Sequence, residues 1–387
     1  MGSQSGAPLS FYIHIPYCVK RCSYCDFNTY TPAELKISDA LTEISRSYID
    51  LLIAEAQQAR TEAATAGKIP TIFFGGGTPT LMEPADLQLI LHELESSFGF
   101  TDDIEITIEA NPDTVSREKL SALRNIGINR ISLGMQSASP HVLALLDRTH
   151  NPDNVGKATH WAREVGFDHV SVDLIYGTPT ETLDDWRESV KAALALPIDH
   201  LSAYALIVEE GTKFAAQVKR GEVASPDDDL MADKYVIVDD MCAAAGMSWY
   251  ELSNWSKPDG ECRHNIAYWQ GADWWGLGPG AHSHLQGKRW WNVKHPSTYR
   301  DRILEKISPA LDSELLNASE KESERIMLQI RMPDGISKLS LSQPAQLRLA
   351  EYLPTGHIDS DAWARGAVCL TQSGRLIADR IVQEILL

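Results

Sequence analysis

Three cysteines near the N-terminus are the side chains of this 387-residue sequence with the clearest metal-binding spacing. Cys18, Cys22 and Cys25 form a C-x3-C-x2-C pattern. Thiolates favour iron–sulfur clusters, zinc or copper(I), and three so close together can hold one cluster with an open iron. A closed zinc site would need a fourth ligand, for which Asp26 and His14 are the nearby candidates. The polar residues between the cysteines argue against thiols that only pack a core.

A glycine-rich segment is the second motif that could bind a ligand. Gly75, Gly76 and Gly77 are followed by Thr78 and Pro79, directly after a predicted strand. Glycines let backbone amides approach a ligand closely, although the segment could equally be a plain turn. It has neither the Gly-Lys-Ser/Thr end of a P-loop nor G-x-G-x-x-G spacing, so neither a nucleoside triphosphate nor a dinucleotide is indicated.

Polar residues end several predicted strands further along the chain. Glu109, Gln136 and Asp173 end the third, fourth and fifth strands, and Arg148 follows the fourth. A carboxylate can accept hydrogen bonds from hydroxyl groups, and arginine can pair a carboxylate in a fork geometry. Asp173 lies in an otherwise apolar run, where a charged residue needs a partner. Each of these residues alone could equally be solvent-exposed or a helix cap.

The elements that must position these residues alternate along the first half of the chain. Predicted strands are Phe11–Ile15, Thr71–Phe74, Ile104–Glu109, Arg130–Leu133, His169–Leu174 and His200–Tyr204. Helical periodicity recurs at Ala85–Phe98, Arg117–Asn125, Val155–Val165 and Thr182–Leu194. This alternation predicts parallel β/α units, and in barrels of such units the working residues lie at the carboxyl ends of the strands. Periodicity alone does not separate an incomplete barrel from a doubly wound sheet.

Beyond about residue 245 the alternation stops. Residues 246–300 are rich in Trp, Gly and His and are predicted to be an ordered connection, which gives domain boundaries of 1–245, 246–300 and 301–387. The last segment is predicted to be mostly helical and winged-helix-like. Its predicted elements are the helices Ser319–Ile330, Gln343–Glu351 and Leu376–Leu387, and the short apolar run Ala367–Leu370.

Composition limits the class of protein. The formal charge is −18, from 53 acidic and 35 basic side chains, which disfavours nucleic acid as a partner. We expect a soluble, cytoplasmic protein, because no run reaches roughly 18 apolar residues and Met1–Ser10 does not resemble a signal sequence. Cys242, Cys262 and Cys369 lie far apart and are expected to be free thiols.

The cysteine motif, with Tyr24 before its last cysteine, resembles the radical S-adenosylmethionine (SAM) superfamily and its oxygen-independent coproporphyrinogen III oxidase-like branch, a branch linked to porphyrin biosynthesis. Four segments match that branch in order: Tyr12–Cys18, Phe74–Thr80, Ile108–Pro112 and Asp173–Gly177. The resemblance implies an α/β fold with a partial (β/α)6 TIM-type barrel and a [4Fe–4S] cluster on the three cysteines. It also implies a SAM site formed by Tyr12, Tyr24, Gly76, Gly77, Thr78, Glu109, Gln136, Arg148 and Asp173.

Two functions share this scaffold: the coproporphyrinogen III dehydrogenases and the HemW-type haem chaperones. The dehydrogenase pattern has a further cysteine where this chain has Phe27, and only ten residues precede the first predicted strand, so both differences argue against dehydrogenase activity. His264, Asn265 and Tyr268 resemble the H-N-x-x-Y signature of the chaperones, which implies that they bind haem. The rival haem ligands are His282, His284 and Cys262.

The sequence therefore predicts a haem chaperone that passes haem to a haem-requiring acceptor protein and takes electrons from a donor protein. Any contact with the membrane periphery would come through the acceptor, and the oligomeric state stays open. The alternatives are a coproporphyrinogen III dehydrogenase, which would be an enzyme, and a non-catalytic iron–sulfur scaffold.

Overall fold

A computed structural model describes residues 6–36, 41–148 and 151–386. Six consecutive parallel strands form the centre of its main sheet. They are β1 (Ser10–Ile15), β2 (Ile69–Gly76), β3 (Phe100–Ala110), β4 (Arg130–Gln136), β5 (His169–Tyr176) and β6 (His200–Ala205). Each contains one of the predicted strands and extends it by one to five residues, so the predicted β/α core is confirmed.

The first half of the chain also contains seven helices in the described residues. They are α1 (Pro32–Leu35), α2 (Leu41–Glu62), α3 (Pro84–Phe98), α4 (Arg117–Asn125), α5 (Pro140–Leu145), α6 (Pro152–Glu164) and α7 (Leu183–Leu194). The longer helices contact one another in succession, α2 with α3, α3 with α4, and α4 with α6. Such a single outer layer is the arrangement of a barrel rather than of a sheet with helices on both faces.

Strand β1 shows how the sequence separates the two faces of the sheet. Phe11, Ile13 and Ile15 are fully buried in the apolar core, whereas Tyr12 and His14 alternate with them and border a cavity. Side chains of successive strand residues point to opposite faces. The odd positions therefore stabilise the sheet against the helices, and the even positions are left for a ligand.

The segment that follows β6 widens the sheet at both edges. After α8 (Lys213–Lys219) and α9 (Asp228–Ala244), the next elements are β7 (Ser248–Glu251), β8 (Asn254–Ser256), α10 (Arg263–Trp269), β9 (Trp274–Leu277), β10 (His282–Leu285), β11 (Lys288–Asn292), α11 (Pro296–Leu304) and β12 (Ala310–Leu315). The strand order is β12-β11-β10-β9-β1-β2-β3-β4-β5-β6-β8-β7. The stretch predicted as an ordered connection thus supplies strands to the main sheet, β9 pairing in parallel with β1 and β8 antiparallel with β6.

The C-terminal part is mostly helical, as predicted. Its elements are α12 (Ala318–Gln329), β13 (Ile336–Ser337), α13 (Gln343–Ala350), α14 (Ser360–Ala364), β14 (Ala367–Val368), α15 (Gln372–Arg375) and α16 (Ala378–Leu386). Strands β13 and β14 pair with each other, and a second apolar cluster forms around Ile330, Leu349, Val368 and Ile381, which are fully buried. The last residue of the predicted final helix and the first five residues of the predicted polar N-terminus lie outside the described residues.

The longest apolar stretches of the described helices are too short or too polar to cross a membrane. All six cysteines are free thiols, in agreement with the expectation for Cys242, Cys262 and Cys369.

Candidate functional site

The loop that carries the three cysteines is anchored on both sides. The Cys18 N–H donates to the Tyr30 carbonyl over 3.0 Å. The Ser23 hydroxyl donates to the Leu145 carbonyl over 3.0 Å, and its own N–H donates to the Leu146 carbonyl over 3.2 Å. These contacts fix the loop to the segment after β4, so the cysteines lie near the carboxyl ends of the strands.

The three thiols are partly exposed on this loop. Burial raises the pKa of the Cys18 thiol to about 11, and nearby Cys25 and Cys22 add to the shift while the Thr78 hydroxyl opposes it. Thr78 Oγ1 lies 3.9 Å from Cys18 Sγ, and Arg148 Nη1 lies 3.6 Å from Cys22 Sγ. Hydroxyl and guanidinium donors of this kind stabilise thiolates once a metal displaces the protons.

The donor set fits a cubane cluster. In the described ranges no three His, Cys, Asp or Glu side chains come together as a site for one ion. A four-iron cluster does not require such convergence, because each thiolate binds a different iron. Three neighbouring thiols on one anchored loop therefore suit the [4Fe–4S] cluster that the sequence predicts.

The glycine segment comes very close to β1. Gly76 has φ 106°, and a Cβ there would lie 2.4 Å from the His14 ring. The N–H groups of Gly77 and Thr78 donate to carbonyls of the β1 region over 2.7 and 2.8 Å, and that of Gly76 donates to Glu109 Oε2 over 3.1 Å. These amides are therefore not available to a ligand, contrary to the expectation from the glycines, and an ammonium group would have to be received by carbonyl oxygens.

Two carboxyl groups lie close together, that of Glu109 next to the end of β3 and that of Asp173 within β5. Burial, and secondarily the Asp173 carboxylate, raises the pKa of Glu109 to about 8. Burial also raises the pKa of Asp173, against the hydrogen bonds of Ser132 at 2.8 and 3.0 Å and the charge of Arg148. Arg148 Nη2 donates to the Gly134 carbonyl over 2.8 Å, which turns its guanidinium towards this interior.

Gln136 and Tyr24 lie beside the same arginine. Strand pairing shifts register between Gly134 and Gln136, and Gln136 is buried with φ 64°. A Cβ at Gly134 would lie 2.6 Å from Arg148 Nη2 and 2.7 Å from Gln136 Nε2, so only glycine leaves both side chains in place. The half-buried Tyr24 is close enough to Arg148 and Cys22 for their charges to act on its hydroxyl. A register shift of this kind is a β-bulge, and β-bulges often redirect side chains beside active sites.

A cavity of about 590 Å³ opens at the ends of β1, β2 and β3. Its volume lies in the usual range of small-molecule sites, roughly 300–1,000 Å³. From the predicted SAM set it is lined by Tyr12, Gly76 and Glu109, and the cluster loop contributes residues 26–28. The opposite wall comes from α10, the β9–β11 region and α12, and includes Tyr268, Trp274, His282, His284, Lys294 and Leu328. The cavity thus joins the cluster loop to the Trp-rich segment.

His264, the first residue of the predicted haem motif, lies beneath this cavity rather than on its wall. Its side chain is buried, with Nδ1 2.8 Å from Thr71 Oγ1 and Nε2 2.9 Å from the Tyr268 hydroxyl. Burial lowers the pKa of His264 to about 4, so the imidazole is neutral. Both ring nitrogens are occupied, and this geometry does not fit a haem ligand. Tyr268, one helical turn later, reaches the cavity wall.

The rest of the motif anchors α10 to the amino-terminal ends of the strands. Glu105 accepts the N–H groups of Arg263 and His264 over 3.1 and 3.0 Å and forms a buried ion pair with Arg130 at 3.1 Å. Asn265 donates to Glu251 over 3.3 Å. Backbone N–H groups at a helix N-terminus need such acceptors, so these contacts position the helix.

The rival haem ligands differ in accessibility. Burial raises the pKa of Cys262 to about 12, which disfavours a thiolate ligand. His284 is buried, its Nδ1 lying 3.2 Å from the Ala272 carbonyl. His282 is exposed to the cavity, and its ring stacks on Trp291 with centroids 5.9 Å apart.

Two lining residues were not predicted for this cavity: Asn28 was not named in the sequence analysis, and His14 was considered there only as a zinc ligand. His14 Nε2 lies 2.9 Å from the Asn28 carbonyl, and the Asn28 amide donates to the carbonyls of Pro279 and Lys294 over 2.9 and 2.8 Å. Asn28 thereby ties the cluster loop to the opposite cavity wall. His14 lies two residues after Tyr12 in β1, so both side chains point to the same face of the sheet, and this spacing is the sequence signal that could have identified His14.

Comparison with known proteins agrees with this architecture. Residues 12–193 match the model of the radical SAM superfamily. The heme chaperone HemW of Mycobacterium tuberculosis strain H37Rv is 43% identical over 383 residues, which cover 98% of this chain and 95% of that protein. The heme chaperone HemW of Bacillus subtilis strain 168 is 33% identical over 380 residues, with 96% and 97% covered.

A solved structure shares the fold. The coproporphyrinogen III oxidase HemN from Escherichia coli, a radical SAM enzyme, superposes with a TM-score of 0.82 over 98% of this chain and 90% of that chain, at 23% identity. At this identity the likeness concerns the fold alone. From its similarity to HemW proteins along nearly the whole sequence, the chain belongs to the heme chaperone HemW family of the radical SAM superfamily.

Proposed function

We propose that this protein is a haem chaperone that binds a [4Fe–4S] cluster, SAM and haem and delivers the haem to acceptor proteins. The observation that carries the proposal is the continuous cavity between the cysteine loop and the aromatic wall of α10, β9 and β10. A porphyrin needs a large apolar surface with a few polar groups, and this wall offers both. In the proposal, Cys18, Cys22 and Cys25 hold the cluster.

SAM would bind between the cluster loop and the strand ends. When bound, the cluster supplies single electrons and an open iron that can chelate the methionyl part of SAM. Arg148 would pair the methionyl carboxylate, and carbonyls of the Gly76–Thr78 segment would receive the ammonium group. Glu109 would accept the ribose hydroxyls.

The remaining predicted SAM residues would support this geometry. Gln136 and Asp173 would orient Arg148 and the ligand from the ends of β4 and β5. Tyr12 and Tyr24 would pack around adenine and cluster. SAM cleavage is not required by the proposal, since binding alone could order the cluster loop for haem transfer.

The dehydrogenase and scaffold alternatives have less support. Phe27 stands where the dehydrogenase pattern has a cysteine, and its side chain is exposed on the cavity wall. A scaffold that only docks partners would not need polar groups converging on a cavity. We therefore propose no decarboxylation of propionates by this chain.

The proposal extends to partners, compartment and domains. A haem-requiring acceptor and an electron donor would both act in the cytoplasm, and membrane contact would come through the acceptor. We propose that residues 1–245 bind cluster and SAM, that 246–300 form the haem wall, and that 301–387 contact the acceptor. The net charge of −18 disfavours a nucleic-acid partner.

The decisive experiment compares two activities of the protein, the transfer of haem to an acceptor and the conversion of coproporphyrinogen III. The anaerobically reconstituted protein is mixed with haem and then with a haem-free acceptor, and separately with coproporphyrinogen III, SAM and a reductant. We expect a Soret band on the protein, its transfer to the acceptor, and no protoporphyrinogen IX. Protoporphyrinogen formation at a useful rate would overturn the chaperone proposal.

Two single cysteine variants test which thiols hold the cluster, and the second is the matched control of the first. Cys25→Ser should lose most iron and sulfide, whereas Cys369→Ser, which lies far from the cluster loop in the sequence, should keep both. Zinc instead of iron in oxygen-free wild-type protein would contradict the cluster assignment.

A further inference from the structure

We infer that His282, and not His264 of the H-N-x-x-Y motif, ligates the iron of bound haem, an inference that rests on the haem binding proposed above. His264 would have to leave Thr71 Oγ1 at 2.8 Å and the Tyr268 hydroxyl at 2.9 Å to expose a nitrogen. It would also have to pass Tyr268, which separates it from the cavity. Two buried hydrogen-bonding groups would then be left without their partners, which is unfavourable.

His282 needs no such rearrangement. It begins β10 on the cavity wall, its side chain is exposed, and in the described part of the chain its ring has no hydrogen-bond partner. Its stacking on Trp291 holds the ring without using either nitrogen.

The surroundings of His282 match the other parts of a haem. Tyr268, Trp274 and Leu328 line the same cavity and offer apolar surface to a flat macrocycle. Lys294 also lines it with an exposed side chain, so its ammonium can pair a propionate. Glu324, an acidic group on the same wall, is already paired with Arg289 at 2.5 Å.

His284 is the competing ligand on the same strand face. Its Nδ1 contact with the Ala272 carbonyl at 3.2 Å would suit an orienting hydrogen bond of a metal ligand. However, the ring is only 9% exposed and lies against Trp274, with centroids 5.1 Å apart. A macrocycle wider than the imidazole cannot reach a nitrogen so enclosed, whereas His282 is open.

The test uses cluster-loaded protein, so that the cluster thiols are not free to bind haem iron. Ferric haem and iron-free protoporphyrin IX are titrated into wild type, His282→Ala, His284→Ala, His264→Gln and Lys294→Met. We expect His282→Ala to weaken ferric haem about tenfold or more, to lose the imidazole signature in absorption and EPR spectra, and to regain it with added imidazole. Its affinity for iron-free protoporphyrin should stay unchanged.

The other variants separate ligation from packing. Lys294→Met should weaken both porphyrins by up to about fivefold, as for an exposed charge pair, without changing the iron spectrum. His284→Ala and His264→Gln should keep the wild-type spectrum. If His264→Gln does not fold, the recovery of the imidazole signature by His282→Ala in added imidazole still tests whether His282 is the haem ligand.

Failure of the inference and of the proposed function are distinguishable. No haem binding by wild type would overturn the haem-chaperone proposal itself. Haem binding by wild type together with an unchanged spectrum in His282→Ala would overturn only the ligand assignment. Loss of the imidazole signature in folded His284→Ala or His264→Gln would do the same and would identify the true ligand.

Discussion

Burial raises the pKa values of the two carboxyl groups in the strands below the cluster loop. The carboxyl groups of Glu109 and Asp173 share the interior with the guanidinium of Arg148, which also lies near Cys22 and Tyr24. A buried carboxyl with a like-charged neighbour is expected to keep its proton to higher pH. The protonation state of this interior therefore depends on whether a ligand brings further charge.

A pH dependence of SAM binding follows from the proposed role of Glu109. Its pKa of about 8 means that it is largely protonated below that pH, whereas acceptance of two ribose hydroxyls favours the carboxylate. We expect the SAM affinity of wild type to rise between pH 6.5 and 8.5, by up to about tenfold per unit below the pKa.

Calorimetric titration of cluster-loaded protein measures this effect. Glu109→Gln should bind SAM more weakly at high pH and lose this component of the pH profile. Titration of the SAM amino group is common to both proteins and cancels in the comparison. Identical profiles for wild type and Glu109→Gln would remove Glu109 from the site.

Sequence reasoning reaches some of these residues and misses others for identifiable reasons. The spacing of Cys18, Cys22 and Cys25 is local, so one loop is enough to bring them together. The hydrogen bond of His264 to Thr71 joins positions far apart in the chain, and no local pattern encodes it. The H-N-x-x-Y match identified an important helix, but burial of its histidine became evident only in the folded chain.

Among the elements, helix α2 has an unexpected role in the cavity wall. Glu55, buried in the middle of this helix, accepts hydrogen bonds from the Gly278 N–H at 2.8 Å, Asn292 Nδ2 at 2.6 Å and the Tyr299 hydroxyl at 2.6 Å. Burial raises the pKa of Glu55 to about 7, although these donors oppose the shift. One carboxyl group thus fixes the glycine-rich turn before His282.

The free energy of unfolding should depend on pH through the ionisation of Glu55. The folded-state pKa of Glu55, about 7, exceeds its ordinary value of 4.5. Between these two pH values the folded protein therefore holds a proton on Glu55 that the unfolded chain has released. Its contribution is therefore full below about pH 4.5 and is lost as the pH rises to about 7.

Glu55→Gln, which cannot ionise, tests this dependence. The free energy of unfolding of wild type should fall relative to that of the variant by about 2–3 kcal/mol between pH 5 and pH 8. Urea unfolding followed by tryptophan fluorescence at both pH values measures the difference, in which other titrating groups cancel. Parallel pH curves for the two proteins would contradict the prediction.

Helix α2 was also the longest element that sequence reasoning missed. Its buried face includes Ser45, Glu55 and the alanines Ala56 and Ala59 beside larger apolar residues, so the apolar stripe is interrupted. Short strands such as β8 and β9 were missed because three or four residues give no detectable alternation. The longer central strands and regular helices were predicted from their periodicity.

For the whole molecule, the C-terminal part is joined to the core by a buried arginine. Arg375 pairs with Asp239 of α9 at 2.6 Å, donates to the Tyr235 hydroxyl at 2.9 Å and stacks over Trp249 at 4.3 Å. Helix α12 of the same part contributes Leu328 to the cavity wall. The attachment of this part therefore influences how closed the cavity is.

Removal of this arginine should loosen the C-terminal part. Arg375→Ala leaves Asp239 without its ion-pair partner and should destabilise the docked state by about 3–5 kcal/mol, the usual cost of breaking a buried pair. Arg375→Lys keeps the charge but loses the fork and the stacking, so we expect an intermediate effect.

Limited proteolysis with mass spectrometry measures the docking. Cleavage in residues 301–387 should be fastest for Arg375→Ala, whereas Arg380→Ala, which removes an exposed pair with Glu384, should behave as wild type. Equal cleavage rates for all variants would show that the pair does not hold the segment.

The parallel pairing of β1 with β9 has a consequence for synthesis on the ribosome. Phe11 emerges early, yet its partner Trp275 is translated only after the whole β/α region. Until then one edge of β1 exposes unpaired N–H and C=O groups, which are prone to intermolecular association. A stalled or truncated nascent chain should therefore aggregate through its first strand, and cellular folding assistance should matter most before residue 277 has left the exit tunnel.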